Sequence, residues 1–253
     1  MLGLLGRPRV LGRLVRVLWQ IVSGFWIIRL QFTRLETGQR QEHVQRWASR
    51  MLAALGIELR RQGPPLNGGP VLLVANHISW LDILVLHAAG YCRFISKADV
   101  QRWPLIGYMA REAGTLFIER ESRRDAHRMV HFMVERLRAG DVLAVFPEGT
   151  TGDGLAIKPF HANLIQAAIL ADVPVQPVAL RFVDGPSGLV SHAPRFVGDD
   201  TLVGSVLRTL AAQGVQAHVL IGPPDRHAGR DRRRWAQDLR EQVHALRQTP
   251  QRH

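Results

Sequence analysis

A histidine that leaves an apolar run and a carboxylate five residues further on are the pair in this chain best suited to proton transfer: His77 and Asp82, within Asn76-His77-Ile78-Ser79-Trp80-Leu81-Asp82. An aspartate bonded to one imidazole nitrogen fixes the tautomer, and the other nitrogen can then take a proton from an attacking alcohol, with no serine nucleophile between them. Five residues of regular helix turn through about 500°, so the two side chains meet only if His77 precedes the helix that carries Asp82. Ser79 supplies an N-cap, and Ser79-x-x-Asp82 has the form of a capping box, which sets Asp82 in the first turn, pointing back at the loop. Two readings of Asp82 stand side by side: a helix cap and an orienting carboxylate.

Three further clusters invite chemistry. Gly114-Thr115-Leu116-Phe117-Ile118-Glu119-Arg120 reads as a strand ending in two charges; it is either a solvated strand end or a place where Arg120 turns its forked donors on a phosphate. Val142 to Phe146 runs into Pro147-Glu148-Gly149-Thr150-Thr151-Gly152, a turn whose successive backbone N–H groups can form an anion-binding concavity, or simply a tight turn. Val173-Pro174-Val175-Gln176-Pro177-Val178 carries two prolines in an apolar run, which assigns it to a strand start or an edge.

The elements that must hold these clusters follow from periodicity. Short apolar, β-branched runs at 71–75, 93–96, 115–118, 142–146, 175–180 and 216–221 read as strands, separated by helical patterns such as 125–138 and 162–170. Their alternation predicts an α/β domain, a central sheet covered by helices on both faces, with ligands at the carboxyl ends of strands. A helix over 41–57 stops at Gly56, and another is expected over 232–246, in an arginine-rich stretch with no assigned chemistry.

The first forty residues mix Arg7, Arg9, Arg13 and Arg16 with an apolar stretch from Val17 to Ile28. That uncharged run covers roughly 18 Å as a helix, short of the ~30 Å hydrocarbon core, so no full span is expected. The expectation is a basic, aromatic helix lying at the membrane interface. An ordinary helix packed on the domain is the other reading. The chain thus divides into a basic, apolar, membrane-associating segment at 1–40 and a catalytic domain at 41–253, with its motif core at about 71–182.

With 33 basic against 21 acidic residues the net charge is +12, which suits anionic lipid, nucleic acid or an acidic carrier protein. One cysteine, Cys92, excludes an intrachain disulfide and any cysteine-based metal cluster, and no metal ligands are assigned.

Taken in order, the four clusters resemble the lysophosphatidic acid acyltransferase family, the bacterial 1-acylglycerol-3-phosphate O-acyltransferases. The resemblance implies a glycerolipid-acyltransferase fold in which His77 is the general base and Asp82 orients it. Asn76, Arg120, Glu148, Gly149 and Thr150 would then serve the acceptor, and Lys97 resembles a further basic residue near its phosphate. The acyl donor would be acyl-CoA or acyl carrier protein, with no other cofactor, and the enzyme would work at the inner face of the cytoplasmic membrane on the free hydroxyl of 1-acylglycerol-3-phosphate, giving phosphatidic acid. Many members continue Phe-Pro-Glu-Gly-Thr with Arg-Ser, whereas this chain has Thr151-Gly152-Asp153-Gly154. A similar threonine occurs in relatives that acylate lyso-ornithine lipid, which makes that lipid the alternative acceptor. A non-catalytic, basic nucleic-acid-binding module is the competing class. The charge is spread along the chain, and aromatic residues do not alternate with basic ones as in a stacking platform, so no nucleic-acid partner is expected.

Overall fold

The computed structural model describes residues 8–66, 68–118, 123–185 and 187–250. Seven strands form one sheet: β1 (Ile57–Gln62), β2 (Val71–Ala75), β3 (Arg93–Lys97), β4 (Leu116–Ile118), β5 (Val142–Val145), β6 (Val175–Asp184) and β7 (Val215–Ile221). Their spatial order is β1-β7-β6-β2-β5-β3-β4. From β6 to β4 every pair is parallel, while β7 runs antiparallel to β6 and carries β1 parallel to itself.

The middle of this sheet is apolar on both sides, as a covered parallel sheet requires. Along β2, Val71, Leu73 and Ala75 face one core, packed with α2 (Thr37–Leu55) and α3 (Leu81–Ala89). Leu72 and Val74 face the other, packed with α6 (Arg123–Arg138), α7 (Ala162–Ala171) and α9 (Arg232–Gln248). Two short helices, α4 (Ala98–Gln101) and α5 (Ile106–Glu112), follow β3, and α8 (Leu202–Ala211) precedes β7.

Several boundaries differ from the sequence expectation, each for a local reason. α2 starts at Thr37 because Glu36 and Gln39 form a reciprocal capping box, and it ends where Gly56 adopts φ +80°. The edge strand β1 was not expected: Glu58 and Arg60 point to solvent and pair with each other at 2.7 Å, which hides the apolar alternation. α8 was not expected either; Thr201 caps it by accepting a bond from the Gly204 N–H.

The N-terminal helix α1 (Pro8–Gln31) continues through the arginines on either side of the uncharged run. By length and composition it is sufficient to cross a membrane, longer than the run itself indicated. One side is taken by the domain: Val10, Arg13, Val17, Gly24 and Ile28 are buried. A Cβ at Gly24 would lie 2.5 Å from Trp47 Nε1, which shows how closely α1 approaches α2, and Trp47 donates to the Gln20 carbonyl at 2.8 Å. Arg13 crosses to α8 and donates to the Leu210 carbonyl at 2.8 Å. The opposite side is a stripe of exposed Leu11, Val15, Leu18, Trp19, Val22 and Trp26.

α3 also buries His87, which is 5% exposed and meets the ring of Phe94 edge-on at 5.0 Å. Desolvation lowers its pKa from 6.5 to about 4. A depressed histidine pKa stabilises the fold above the unfolded value, and that stability is lost as pH falls from 6.5 towards about 4, because the unfolded chain takes up the proton first. The loss attributable to His87 is about 2 kcal/mol between neutral pH and about pH 5. His218 is depressed in the same direction. In urea melts at the two pH values, His87→Leu is expected to remove roughly half of the acid sensitivity; an unchanged pH slope would show that His87 is not its source.

Candidate active site

The sheet order explains why motifs far apart in sequence meet. β2 lies between two parallel neighbours, with Val74 opposite Val145 of β5 and Ala75 opposite Val178 of β6. The residues that leave the carboxyl ends of β2 and β5, Asn76-His77 and Phe146-Pro147-Glu148, therefore emerge side by side. Asn76 is buried, and its amide accepts from the Leu180 N–H at 2.7 Å and donates to the Leu180 carbonyl at 3.0 Å, tying the end of β2 to β6.

His77 sits in the turn before α3, and Asp82 lies in the first turn of that helix. The Asp82 side chain is fully buried, while that of His77 keeps 19% of its surface. Asp82 Oδ2 lies 2.8 Å from His77 Nδ1 and also accepts the backbone N–H groups of Ile78 at 2.6 Å and Ser79 at 2.9 Å. Ser79 Oγ accepts from the Leu81 N–H at 3.2 Å. The two readings of Asp82 meet in one geometry: the N-cap residue of α3 is Trp80, and the carboxylate that fixes the N–H groups of the two residues before it also holds the imidazole. With Nδ1–H given to the carboxylate, Nε2 is the nitrogen left to accept a proton. Phe146 stacks on the imidazole with centroids 4.0 Å apart and planes 7° apart, and Phe94 stands behind it at 5.8 Å.

Glu148 joins the two strand ends. Its Oε1 accepts the His77 N–H at 2.8 Å and its Oε2 the Lys158 N–H at 2.7 Å. Burial pushes its pKa above the ordinary carboxylate range, opposed by those two donors and by the charges of His77 and Lys158. Gly149 adopts φ +73°, and a Cβ there would come within 2.9 Å of His161 Nε2, so both backbone and space call for glycine. The chain then returns, and the Gly152 N–H donates to the His77 carbonyl at 2.7 Å. Both backbone polar groups of His77 are thereby held by the Glu148–Gly152 turn.

The structure brings Asn76, His77, Asp82, Glu148, Gly149 and Thr150 together at one edge of the sheet. Thr150 is exposed there. Asn76 and Glu148 each bond backbone groups and tie strand ends together. Lys97 closes β3, one strand beyond β5 at the same edge, and its side chain is not among those described. Arg120 lies outside the described residues. Sequence reasoning missed Phe146 and the 192–200 loop. From that loop the Pro194 carbonyl accepts Ser79 Oγ at 2.5 Å and the Phe196 N–H donates to the Ile78 carbonyl at 3.3 Å. The adjacency of Phe146 to Pro147 at a strand end was a visible signal; the loop left none.

A buried carboxylate bonded to an imidazole, beside a glycine turn at the carboxyl edge of an α/β sheet, is an arrangement suited to taking a proton from an alcohol. A sequence model of the acyltransferase family matches residues 39–181, and the chain belongs to that family. It is 36% identical over 245 residues to the lyso-ornithine lipid O-acyltransferase of Pseudomonas aeruginosa, covering 94% of this chain and 93% of that one. It is 44% identical over 136 residues to the 1-acyl-sn-glycerol-3-phosphate acyltransferase of Neisseria meningitidis, 53% of each chain. The crystal structure of PlsC, the 1-acyl-sn-glycerophosphate (LPA) acyltransferase of Thermotoga maritima, has the same fold, with a TM-score of 0.63 over 95% of this chain and 100% of that one at 18% identity. The protein is an acyltransferase of the lysophosphatidic acid acyltransferase type.

Proposed function

We propose that this protein acylates the free hydroxyl of a lysolipid, taking the acyl group from acyl-CoA or acyl carrier protein at the inner face of the cytoplasmic membrane. The observation that carries the reading is the His77–Asp82 contact at 2.8 Å, with the rest of the imidazole facing out of the strand end. His77 Nε2 removes the hydroxyl proton as the oxygen attacks the thioester carbonyl. The tetrahedral intermediate expels the thiolate, and the imidazolium returns its proton to the leaving sulfur. Asp82 balances the imidazolium charge in between.

The acceptor is lyso-ornithine lipid. The relative matched over nearly its whole length bears that activity in its name. In this chain the turn after Thr150 offers one ammonium, Lys158, whose Nζ donates to the Thr151 carbonyl at 2.9 Å, and one exposed carboxylate, Asp153. This pairing of an ammonium and a carboxylate at the turn suits a zwitterionic ornithine, with its own carboxylate and ammonium. A second reading, acylation of 1-acylglycerol-3-phosphate, is favoured by the 44% identity across the segment that holds the motifs. In either case the acceptor stays in the bilayer, since each buried methylene holds it there by ~0.8 kcal/mol. The apolar stripe on α1, with arginines at its flanks, suits the interface where such a lipid is met.

The test is a product assay with purified protein on mixed vesicles, offering both lysolipids with each thioester. The expected result is a preference for lyso-ornithine lipid of about tenfold or more in kcat/KM. The reverse preference would transfer the assignment to 1-acylglycerol-3-phosphate, and acyl transfer to neither would end the reading.

A further inference from the structure

The C-terminal helix α9 lies outside the residues matched to the family, yet one of its arginines reaches the loop that follows the glycine turn. Arg247 is 7% exposed. It donates from Nη1 to the Gly154 carbonyl at 2.9 Å and from Nη2 to the Leu155 carbonyl. From the same helix, Arg240 donates to the Ile157 carbonyl from both Nε, at 3.1 Å, and Nη2, at 2.8 Å.

This loop has little else to define it. Between Gly149 and the buried Ile157, Thr150 is exposed, Thr151 half-buried, Gly152 and Gly154 bring no side chain, and Asp153, Leu155 and Ala156 are exposed. Ile157, buried in the core, anchors its far end, and before that residue its shape rests on hydrogen bonds. On its inner side the bond is from the Gly152 N–H to the His77 carbonyl, and Gly154 passes the Ile78 side chain, where a Cβ would lie at 3.6 Å. On its outer side Lys158 Nζ holds the Thr151 carbonyl and Arg240 the Ile157 carbonyl, while the two carbonyls between them, of Gly154 and Leu155, are held by Arg247. A guanidinium can hold two successive carbonyls with one planar fork, which an ammonium cannot. The helix that delivers it is itself fixed in the core by Trp235, Leu239 and Val243.

We infer that Arg247 is a positioning residue of the acceptor site: it clamps the 151–157 loop against His77, so that the loop presents the acceptor hydroxyl to Nε2. This rests on the lysolipid reading above, in which that loop meets the headgroup. Loosening the loop is then an orientation loss, felt in acceptor binding and not in donor binding.

The experiment compares wild type, Arg247→Ala, Arg247→Lys and Trp235→Phe, the last perturbing α9 without touching the loop. Arg247→Ala is expected to raise the acceptor KM about tenfold while leaving the donor KM within about twofold, with partial rescue by Arg247→Lys. Trp235→Phe is expected to lower Tm and leave both constants unchanged. Amide hydrogen exchange supplies a readout independent of acceptor identity: Arg247→Ala is expected to speed exchange at Gly152, Leu155 and Lys158 and not in β2. Wild-type exchange in the loop, or faster exchange with an unchanged acceptor KM, would overturn the inference. If Arg247→Ala does not fold, Arg247→Lys decides by the same two measurements. If the wild-type enzyme acylates no lysolipid, the proposed function fails, and exchange still reports whether Arg247 holds the loop.

Discussion

Replacing His77 with alanine is expected to lower kcat by about 10²- to 10⁴-fold, the range that general-base catalysis supplies, with little change in folding. The fold persists because the backbone of His77, not its ring, is what the neighbouring turn holds: Glu148 Oε1 accepts its N–H and the Gly152 N–H bonds its carbonyl, and alanine keeps both. The Asp82 carboxylate retains the N–H groups of Ile78 and Ser79 when the imidazole is gone. Thiol release under saturating substrates gives kcat, and circular dichroism melting gives the fold. Turnover above a tenth of wild type in a folded variant would remove His77 from the chemistry.

How far the sequence exposed this arrangement depended on the range of the interaction. The strand Val71–Ala75 was legible because all five residues are buried and apolar, so that they read as one run. The contact between His77 and Asp82 was legible because it is closed within one turn, where spacing alone restricts the geometry. The edge strand Ile57–Gln62 was not: half-exposed at the margin of the sheet, it carries Glu58, Arg60 and Arg61, and charges there cost little.

The supports of the site depend on strand pairing, which no local pattern reveals. Glu148 reads as part of a turn, and its grip on the His77 N–H follows only once β2 and β5 are parallel neighbours with Val74 opposite Val145. The Asn76 amide reaches Leu180, 104 residues away, by the same logic on the β6 side. Arg247 read as one arginine among many in a polar C-terminal stretch; its burial and its two carbonyl partners belong to the packing of α9 over the sheet. Polar side chains that serve distant backbone groups leave no periodicity behind.

Changing Asp82 to asparagine separates the two duties that this carboxylate combines. Asparagine has nearly the same shape, and its single oxygen can still accept from Ile78 and Ser79, so the start of α3 is kept. Two things are lost. Asp82 Oδ1 has no hydrogen-bond partner among the described residues, and an amide placed there would bury an NH2 group without an acceptor, at a cost of about 1–3 kcal/mol. If the amide turns the other way, it donates to Nδ1, drives the proton to Nε2 and removes the base, and the Ile78 and Ser79 N–H groups lose their acceptor. In either orientation the charge that balances the imidazolium is gone. The expected result is a fall in kcat of about 10²- to 10⁴-fold, as for the same change behind a catalytic histidine in hydrolase triads, with a Tm lowered by a few degrees. Alanine at the same position loses the acceptor of those two N–H groups as well and is expected to lower Tm further at a similar kcat. Should Asp82→Asn reduce Tm while kcat stays at the wild-type value, Asp82 serves only to hold the turn before α3, and His77 works without an orienting carboxylate.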